Sequence, residues 1–453
     1  MRLSAWVLLA AACSGSPGRS TDGARPADAA RASDGPRSDA PRAGDGPRSD
    51  AAPSRDAPRV GDGPAAMRDG AASDAGADAA TCTDECPASA GGLTWGCKRR
   101  FLYGLNYAWL HFGGDFGGIR AFNQGGVAAE AATHAQNLQQ MASRGARTVR
   151  WWVFPDFRGD GVTFDGADTP TGLGPTAEAD VQKALELADQ AGVHVALCLF
   201  SFDGFRPTAD MAGVHIRGLA PIVRDPAKRA ALLERVVRPL ARTAQASPHA
   251  DRLLAWDVIN EPEWAMTGPS PYGDMAYDPT AGLEALAHAD MESFVRDVST
   301  ALRAESRALV TVGGAAPKWA HAWTGVGVDF YQWHYYDWIQ RYWPYTTPPA
   351  QYGLDRPILI GELPLGELAP GLPYGTVLES FYGGGYAGGW GWQFVEATAA
   401  QLADVAAFGA AHPCDTHLKA EAAGAPIAFE PRQPDLRNVR LCTSSQLGKP
   451  VCR

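Results

Sequence analysis

From about residue 100 onward, two hydrophobic rhythms alternate along the chain. Short apolar runs rich in branched and aromatic residues stand at 101–107 (FLYGLNY), 146–154 (ARTVRWWVF), 193–202 (VHVALCLFSF) and 253–260 (LLAWDVIN). Four more follow at 308–314, 328–334, 357–362 and 386–394. Their lengths and their Gly, Pro and polar boundaries predict buried strands. Between several of them, apolar residues recur at i, i+3 and i+4, which predicts helices. The clearest helices run from a Thr176 cap to a stop at Gly192, and from Asp225-Pro226 through an expected kink at Pro239. Two more cover LEALAHADMESFVRDVSTALRAE and ATAAQLADVAAFGAA.

Eight strands alternating with helices imply parallel crossovers, and the regular solutions are a doubly wound sheet or a (β/α)8 barrel. No Gly-x-Gly-x-x-Gly turn follows the first strand and no Walker loop occurs, so the barrel is favoured. The fold class read here is α/β, a (β/α)8 TIM barrel with disulfide-bearing terminal extensions. Such barrels carry their active sites where the strands end, and the strand ends are where this sequence turns polar. Asn260-Glu261-Pro262 closes the fourth strand, His334 and Tyr336 the sixth, and Glu362 the seventh. Period-two spacing places Arg150 with Trp152, Trp390 with Trp392, and Ile358 and Ile360 with Glu362, each set on one face. The inner face is thereby expected to run from apolar core to a carboxylate at the rim.

Two carboxylates facing each other across a barrel mouth suit glycoside hydrolysis, one as proton donor and the other as nucleophile or base. Glu263, Glu367 and Glu396 are rivals, but only Glu261 and Glu362 stand directly at a strand end. Trp109, Trp264, Trp319, Trp323, Trp338 and Trp343 fall in the predicted rim loops and suggest a groove that stacks several sugars of a polymer.

WDVINEP and ILIGE, with HYY at 334–336 and GWGWQF at 389–394, resemble the strand-four and strand-seven motifs of retaining glycoside hydrolases of clan A. The nearest resemblance is to family five, which contains cellulases and β-mannanases, and it covers roughly residues 100–410. YGLNYAWLHFGGDFGG at the first strand is similar to that family's β-mannanases. The resemblance implies that Glu261 is the acid/base and Glu362 the nucleophile of an endo-β-mannanase or related β-1,4-glycanase. It also implies that Arg150 and Tyr336 serve Glu362, that His334 orients the acid or a sugar hydroxyl, and that Asn260 binds the 2-hydroxyl. Trp392, or alternatively Trp390, floors the reacting sugar, and Trp109, Trp264 and Trp319 extend the groove. One departure concerns the sugar: many members carry His near the end of the third strand, where this chain has Ser201, Phe202 and Asp203.

The remaining chain reads as export machinery. LSAWVLLAAAC is too short to span a bilayer and ends at Cys13, resembling the lipobox of bacterial lipoproteins; simple secretion is the alternative. Residues 14–80 are almost wholly Ala, Asp, Arg, Pro, Gly and Ser, too poor in large apolar residues to fold, and read as a tether. Residues 81–453 then hold the catalytic barrel and its flanks. Cys82, Cys86 and Cys97 precede the barrel and Cys414, Cys442 and Cys452 follow it; six in an exported chain suggest disulfides joining its ends. Cys198 reads as a buried thiol.

A net charge of -10 argues against a nucleic-acid partner. No His-x-His, His-Glu-x-x-His or clustered acidic ligands stand at the strand ends, so neither metal nor other cofactor is expected. The expected partner is a β-linked polysaccharide, with a lipid anchor as the sole membrane contact and a monomeric chain. A surface lipoprotein that binds glycans without cleaving them is the competing function.

Overall fold

The computed structural model describes residues 86–95, 98–416, 442–444 and 450–452. The expected signal ending at Cys13, the 14–80 tether, Cys82 and Cys97 lie outside these residues, as do the side chains of Cys442 and Cys452. Each of the eight apolar runs forms a strand: β1 (Leu102–Asn106), β2 (Thr148–Trp152), β3 (His194–Ser201), β4 (Leu253–Asn260), β5 (Leu309–Gly314), β6 (Tyr331–His334), β7 (Ile358–Pro364) and β8 (Gly388–Trp392). They pair in chain order, all parallel, and β8 returns to β1 to close the barrel.

Alternation along the strands builds two cores. Outward residues such as Val149, Leu197, Val258 and Ile360 meet the surrounding helices. Inward residues Leu102, Ala196, Leu309, Phe330, Leu359 and Trp390 form a separate apolar floor inside the barrel. Above this floor the interior turns polar, with Asn106, Arg150, Asp257, Thr311 and Gln332 all almost fully buried.

The helices α1 (Ala131–Ser143), α2 (Ala177–Ala191), α3 (Pro226–Leu232), α4 (Arg238–Ala246), α5 (His288–Glu305), α6 (Tyr374–Gly384) and α7 (Ala399–Ala411) cover the outside. Thr176 occupies the cap position of α2, but its side chain makes no capping bond. Gly192 does end the helix in the left-handed conformation, at φ 70°, which a glycine adopts without steric cost. Asp225 caps α3 through Ala227 N at 2.8 Å. The expected break at Pro239 is absorbed by a π-turn at Leu233–Val237 between α3 and α4; its wider ring accommodates the missing N–H.

Two strands break the regular pleat, and this corrects the expected inner face of β7. Ile358 and Ile360 face the helices and Leu359 the barrel floor. An extra residue follows: Trp333 and His334 are consecutive on β6, yet they pair with Ile360 and Glu362. Gly361 and Glu362 therefore both turn inward. A side chain at 361 would meet the Gln332 side chain at 2.4 Å, so any larger residue must push Gln332 aside. On β4, Asp257 and Asn260 pair with Thr311 and Gly313, three residues against two. Each catalytic-strand candidate thus carries a bulge just before its glutamate, a device that re-aims side chains.

Cys86 and Cys414 form a disulfide. Beside it Asp415 accepts from Ser89 Oγ and from the Phe101 amide, both at 3.0 Å, so the tie is locked onto the entrance of β1.

Candidate active site

The polar interior is organised by Arg150, which is fully enclosed. Its Nε donates to Asp257 Oδ2 at 2.8 Å, one Nη to Glu362 Oε1 at 2.8 Å, and the other to Asn260 Oδ1 at 2.8 Å. Asp257 is held in turn by Gln332 Nε2 at 2.9 Å and the Gly313 amide at 2.8 Å. A Cβ at Gly313 would meet Arg150 Nη2 at 2.7 Å, so this glycine admits the guanidinium. Asn106 accepts from Arg150 at 3.2 Å and donates to Gly361 O at 2.8 Å, bracing the β7 bulge. A buried cation of this kind is stable only with such complete pairing.

Glu261 sits just past β4 with φ 47° and ψ 46°, the left-handed region that side chains adopt at a steric cost. That conformation turns the chain off the strand, and Pro262 starts a 3-10 turn over Pro262–Ala265. The glutamate side chain is left over the barrel mouth, 13% exposed. Trp264, within that turn, donates Nε1 to Glu261 Oε2 at 2.9 Å. His334 Nδ1 lies 2.7 Å from Glu261 Oε1 and 3.3 Å from Glu362 Oε1. Tyr336 donates to Glu362 Oε2 at 2.6 Å.

Burial raises the Glu261 carboxyl to about 7, against the pull of the Trp264 hydrogen bond and Arg150, with Asp203 adding repulsion. The main cause is thus desolvation, and the added charge comes from Asp203, in the turn just past β3. Burial also raises Glu362 above the usual carboxylate value, while His334, Arg150 and Tyr336 favour its ionised form and Glu261 opposes it. Glu362 has both oxygens occupied by donors, one of them a guanidinium, so it is the member held as an anion. Burial pushes His334 down to about 4, so its imidazole is neutral near pH 7.

One ligand atom each from Glu261, His334 and Glu362 lie within 4.8 Å of one another. This corrects the sequence reading that no clustered ligands stand at the strand ends. A metal ion there would have to displace Arg150 and Tyr336 from Glu362, so the donor set fits proton transfer and nucleophilic attack instead.

Several expected sugar contacts are elsewhere. Trp390 is fully buried in the barrel floor and donates to Leu102 O at 3.1 Å. Arg150 is likewise sealed from solvent and acts through Glu362 and Asn260. Trp319 and Trp323 are buried; Trp323 donates to Glu263 Oε1 at 2.7 Å, which with the Ala315 amide at 3.0 Å makes Glu263 structural. Trp392 remains at the mouth, half-buried, with Trp152 at 5.8 Å and Trp109 at 5.8 Å. Across the carboxylates, Trp264 packs against Trp338 at 5.8 Å, with Lys318 Nζ 5.3 Å and 5.2 Å from the two rings. Asn106, Asp257, Gln332 and Trp152 were missed as functional residues. The signal for Asp257 and Gln332 was a polar residue two or three places before a rim residue on the same strand, and for Asn106 a polar residue that ends an apolar strand.

A parallel eight-stranded barrel with two glutamates this close at its C-terminal mouth has the architecture of a double-displacement glycosidase. No family model matches the chain. A mannan endo-1,4-beta-mannosidase of Mytilus edulis is 24% identical over 342 residues, which span 69% of this chain and 88% of that protein. Another mannan endo-1,4-beta-mannosidase, of Cryptopygus antarcticus, is 26% identical over 345 residues, 68% of this chain and 84% of the relative. Among solved structures, the β-mannanase of Mytilus edulis superposes with a TM-score of 0.58 at 21% identity, covering 76% of this chain and 99% of its own. The endo-1,4-beta-mannanase of Eisenia fetida gives 0.57 at 21% identity, covering 70% and 91%. The sequence relatives support the likeness to family five of clan A carried by the motifs, and the structural ones show that the barrel is shared.

Proposed function

We propose that this chain is a retaining β-glycoside hydrolase that cleaves within β-1,4-linked mannan. The observation that carries this reading is the Glu261–His334–Glu362 cluster within 4.8 Å, in which one carboxyl is tuned to about 7 and the other is gripped by Arg150 and Tyr336. That spacing fits direct displacement, which needs carboxyl groups ~5–5.5 Å apart. A glycan-binding protein without catalysis has no use for this differential tuning, so the non-catalytic alternative is not favoured.

In the first step Glu362 attacks the anomeric carbon as the glycosidic C–O bond breaks, and Glu261 gives its proton to the departing oxygen. In the second, Glu261 removes a proton from water, whose oxygen attacks the same carbon and releases Glu362. Two inversions retain the β configuration. The Asn260 carbonyl is taken by Arg150, which leaves its NH2 to donate to the sugar 2-hydroxyl, a contact that strengthens at the transition state. Trp392 floors the reacting sugar. Aromatic groups on both sides of the carboxylates support binding along a chain and therefore endo action.

Mannan is the substrate because it is the one named for the sequence relatives. Digestion of mannan, glucomannan, cellulose, xylan and β-1,3-glucan tests this, with new β-anomeric reducing ends expected from mannan first. No cleavage of any of them, or initial α-anomeric product, would reject the reading. Export is part of the same proposal: the run ending at Cys13 supports membrane anchoring or secretion, and the Cys86–Cys414 disulfide suits an oxidising compartment.

A further inference from the structure

We propose that Glu263 is a positioning residue for the acid/base, fixing to the end of β5 the strained turn that aims Glu261. The inference rests on the function proposed above and adds to it a buried carboxylate that never meets the sugar.

The turn after β4 is attached to the end of β5 at alternate residues. The Glu261 amide donates to Gly313 O at 2.6 Å, and Glu263 Oε2 accepts from the Ala315 amide at 3.0 Å. Glu263 Oε1 accepts from Trp323 Nε1 at 2.7 Å, in the loop that follows β5. Gly314 lies between the two backbone points, and a Cβ there would come within 3.2 Å of Glu263 Oε1, so the turn is seated closely on the strand end. Both partners of the Glu263 side chain are N–H donors, and an ionised carboxylate, which only accepts, satisfies both. The residue is 1% exposed, and a charge so enclosed is costly unless it is held by such bonds. Lys318, in the same β5 loop, adds an electrostatic partner.

What this anchor holds is the backbone of the acid. Glu261 keeps φ 47° and ψ 46°, a left-handed conformation that a residue with a side chain keeps only where its surroundings impose it. The bond to Gly313 fixes one side of the bend, and Glu263 fixes the other. Without Glu263 the Pro262–Ala265 turn can lift from β5, and residue 261 relaxes toward an ordinary backbone. Its carboxyl then leaves His334, 2.7 Å away, and the bond from Trp264, carried by the same turn, is lost. Glu362 is held separately, on β7, by Arg150 and Tyr336. Loss of the anchor therefore weakens proton donation and leaves the nucleophile in place.

The experiment compares kcat/KM of the wild type, Glu263→Gln and Trp323→Phe on mannohexaose and on a dinitrophenyl β-mannobioside, whose leaving group departs without a proton. Glu263→Gln keeps the shape but turns an amide NH2 toward one of two N–H donors. Trp323→Phe removes one donor and keeps the carboxylate. In both variants kcat/KM for mannohexaose should fall about 10- to 100-fold, the worth of a hydrogen bond to a charged group, while the aryl glycoside loses less than about threefold. General loosening of the fold would lower the two substrates alike. An unchanged ratio between them in Trp323→Phe therefore overturns the proposal, and that variant decides alone should Glu263→Gln fail to fold. A wild type that cleaves neither substrate rejects the catalytic reading separately. In that case, or where the wild type refuses only the aryl glycoside, the Trp264 indole N–H decides, identified as the NMR signal missing from Trp264→Phe. Its exchange with deuterated water should speed at least about tenfold in Trp323→Phe, and unchanged exchange overturns the proposal.

Discussion

Trp264 donates its indole N–H to Glu261 Oε2 at 2.9 Å while its ring packs edge-on against Trp319 at 5.4 Å. A buried tryptophan thus fixes the orientation of the residue that both tunes the acid and faces the departing sugar.

Replacing Trp264 by Phe keeps the ring surface and deletes the donor. That donor stabilises the ionised carboxylate, so its loss leaves burial less opposed and raises the Glu261 pKa above about 7. The alkaline limb of kcat/KM against pH should move up by ~0.5–1 unit, the worth of one hydrogen bond. A limb that stays in place would show that the contact does not act on the acid.

Truncating Glu362 to Ala removes the nucleophile but leaves Glu261 protonated, and turnover should fall by at least ~10³-fold. Azide can occupy the vacated space and attack once, giving a glycosyl azide of inverted configuration, visible by NMR. Glu261→Ala should also lose ~10²–10⁴-fold on natural substrate, and much less on substrates whose leaving group needs no proton. An inverted azide from the Glu261 variant instead would exchange the two roles.

The raised carboxyl has a consequence for stability with a definite sign. Glu261 goes from an ordinary 4.5 in the unfolded chain to about 7 when folded, so the folded state binds the extra proton between those values. Stability is therefore highest below about 4.5 as far as this group is concerned, and falls as pH rises through 7. Glu261→Gln does not titrate. Its unfolding midpoint in urea should exceed that of the wild type at pH 8, by on the order of 2–3 kcal/mol in free energy, and change little at pH 4.5. The same difference at both pH values would contradict the tuning by burial.

Gly361→Ala tests the β7 bulge. The new methyl meets Gln332 at 2.4 Å, and a shift of Gln332 strains its bond to Asp257, the partner of Arg150. A loss of ~1–3 kcal/mol is expected from overpacking, together with a drop in kcat larger than any change in KM. Unchanged kcat would show that Glu362 is aimed without help from that bulge.

The strands were legible because each is a short apolar run with clear polar boundaries, and the glutamates were legible because each stands where such a run stops. The faces were not. Ile358 and Ile360 obey period two, but the insertion at Gly361 adds a residue that periodicity cannot register. Two helices escaped for physical reasons as well: α1 buries only His134, Leu138 and Met141, and α6 carries three glycines and several aromatics, which blur a helical stripe. Loop tryptophans were misjudged because composition does not say which way a loop turns them. Trp319 and Trp323 build the support beneath the groove, whereas Trp264 and Trp338 border it.

The Cys86–Cys414 bond brings the two boundaries of the barrel to a Cα separation of 5.5 Å, so residues 86–414 form nearly a closed ring in covalent terms. A circular permutant that fuses these positions through a short peptide, and opens the chain on the face opposite the glutamates, should keep every interior contact of the catalytic centre.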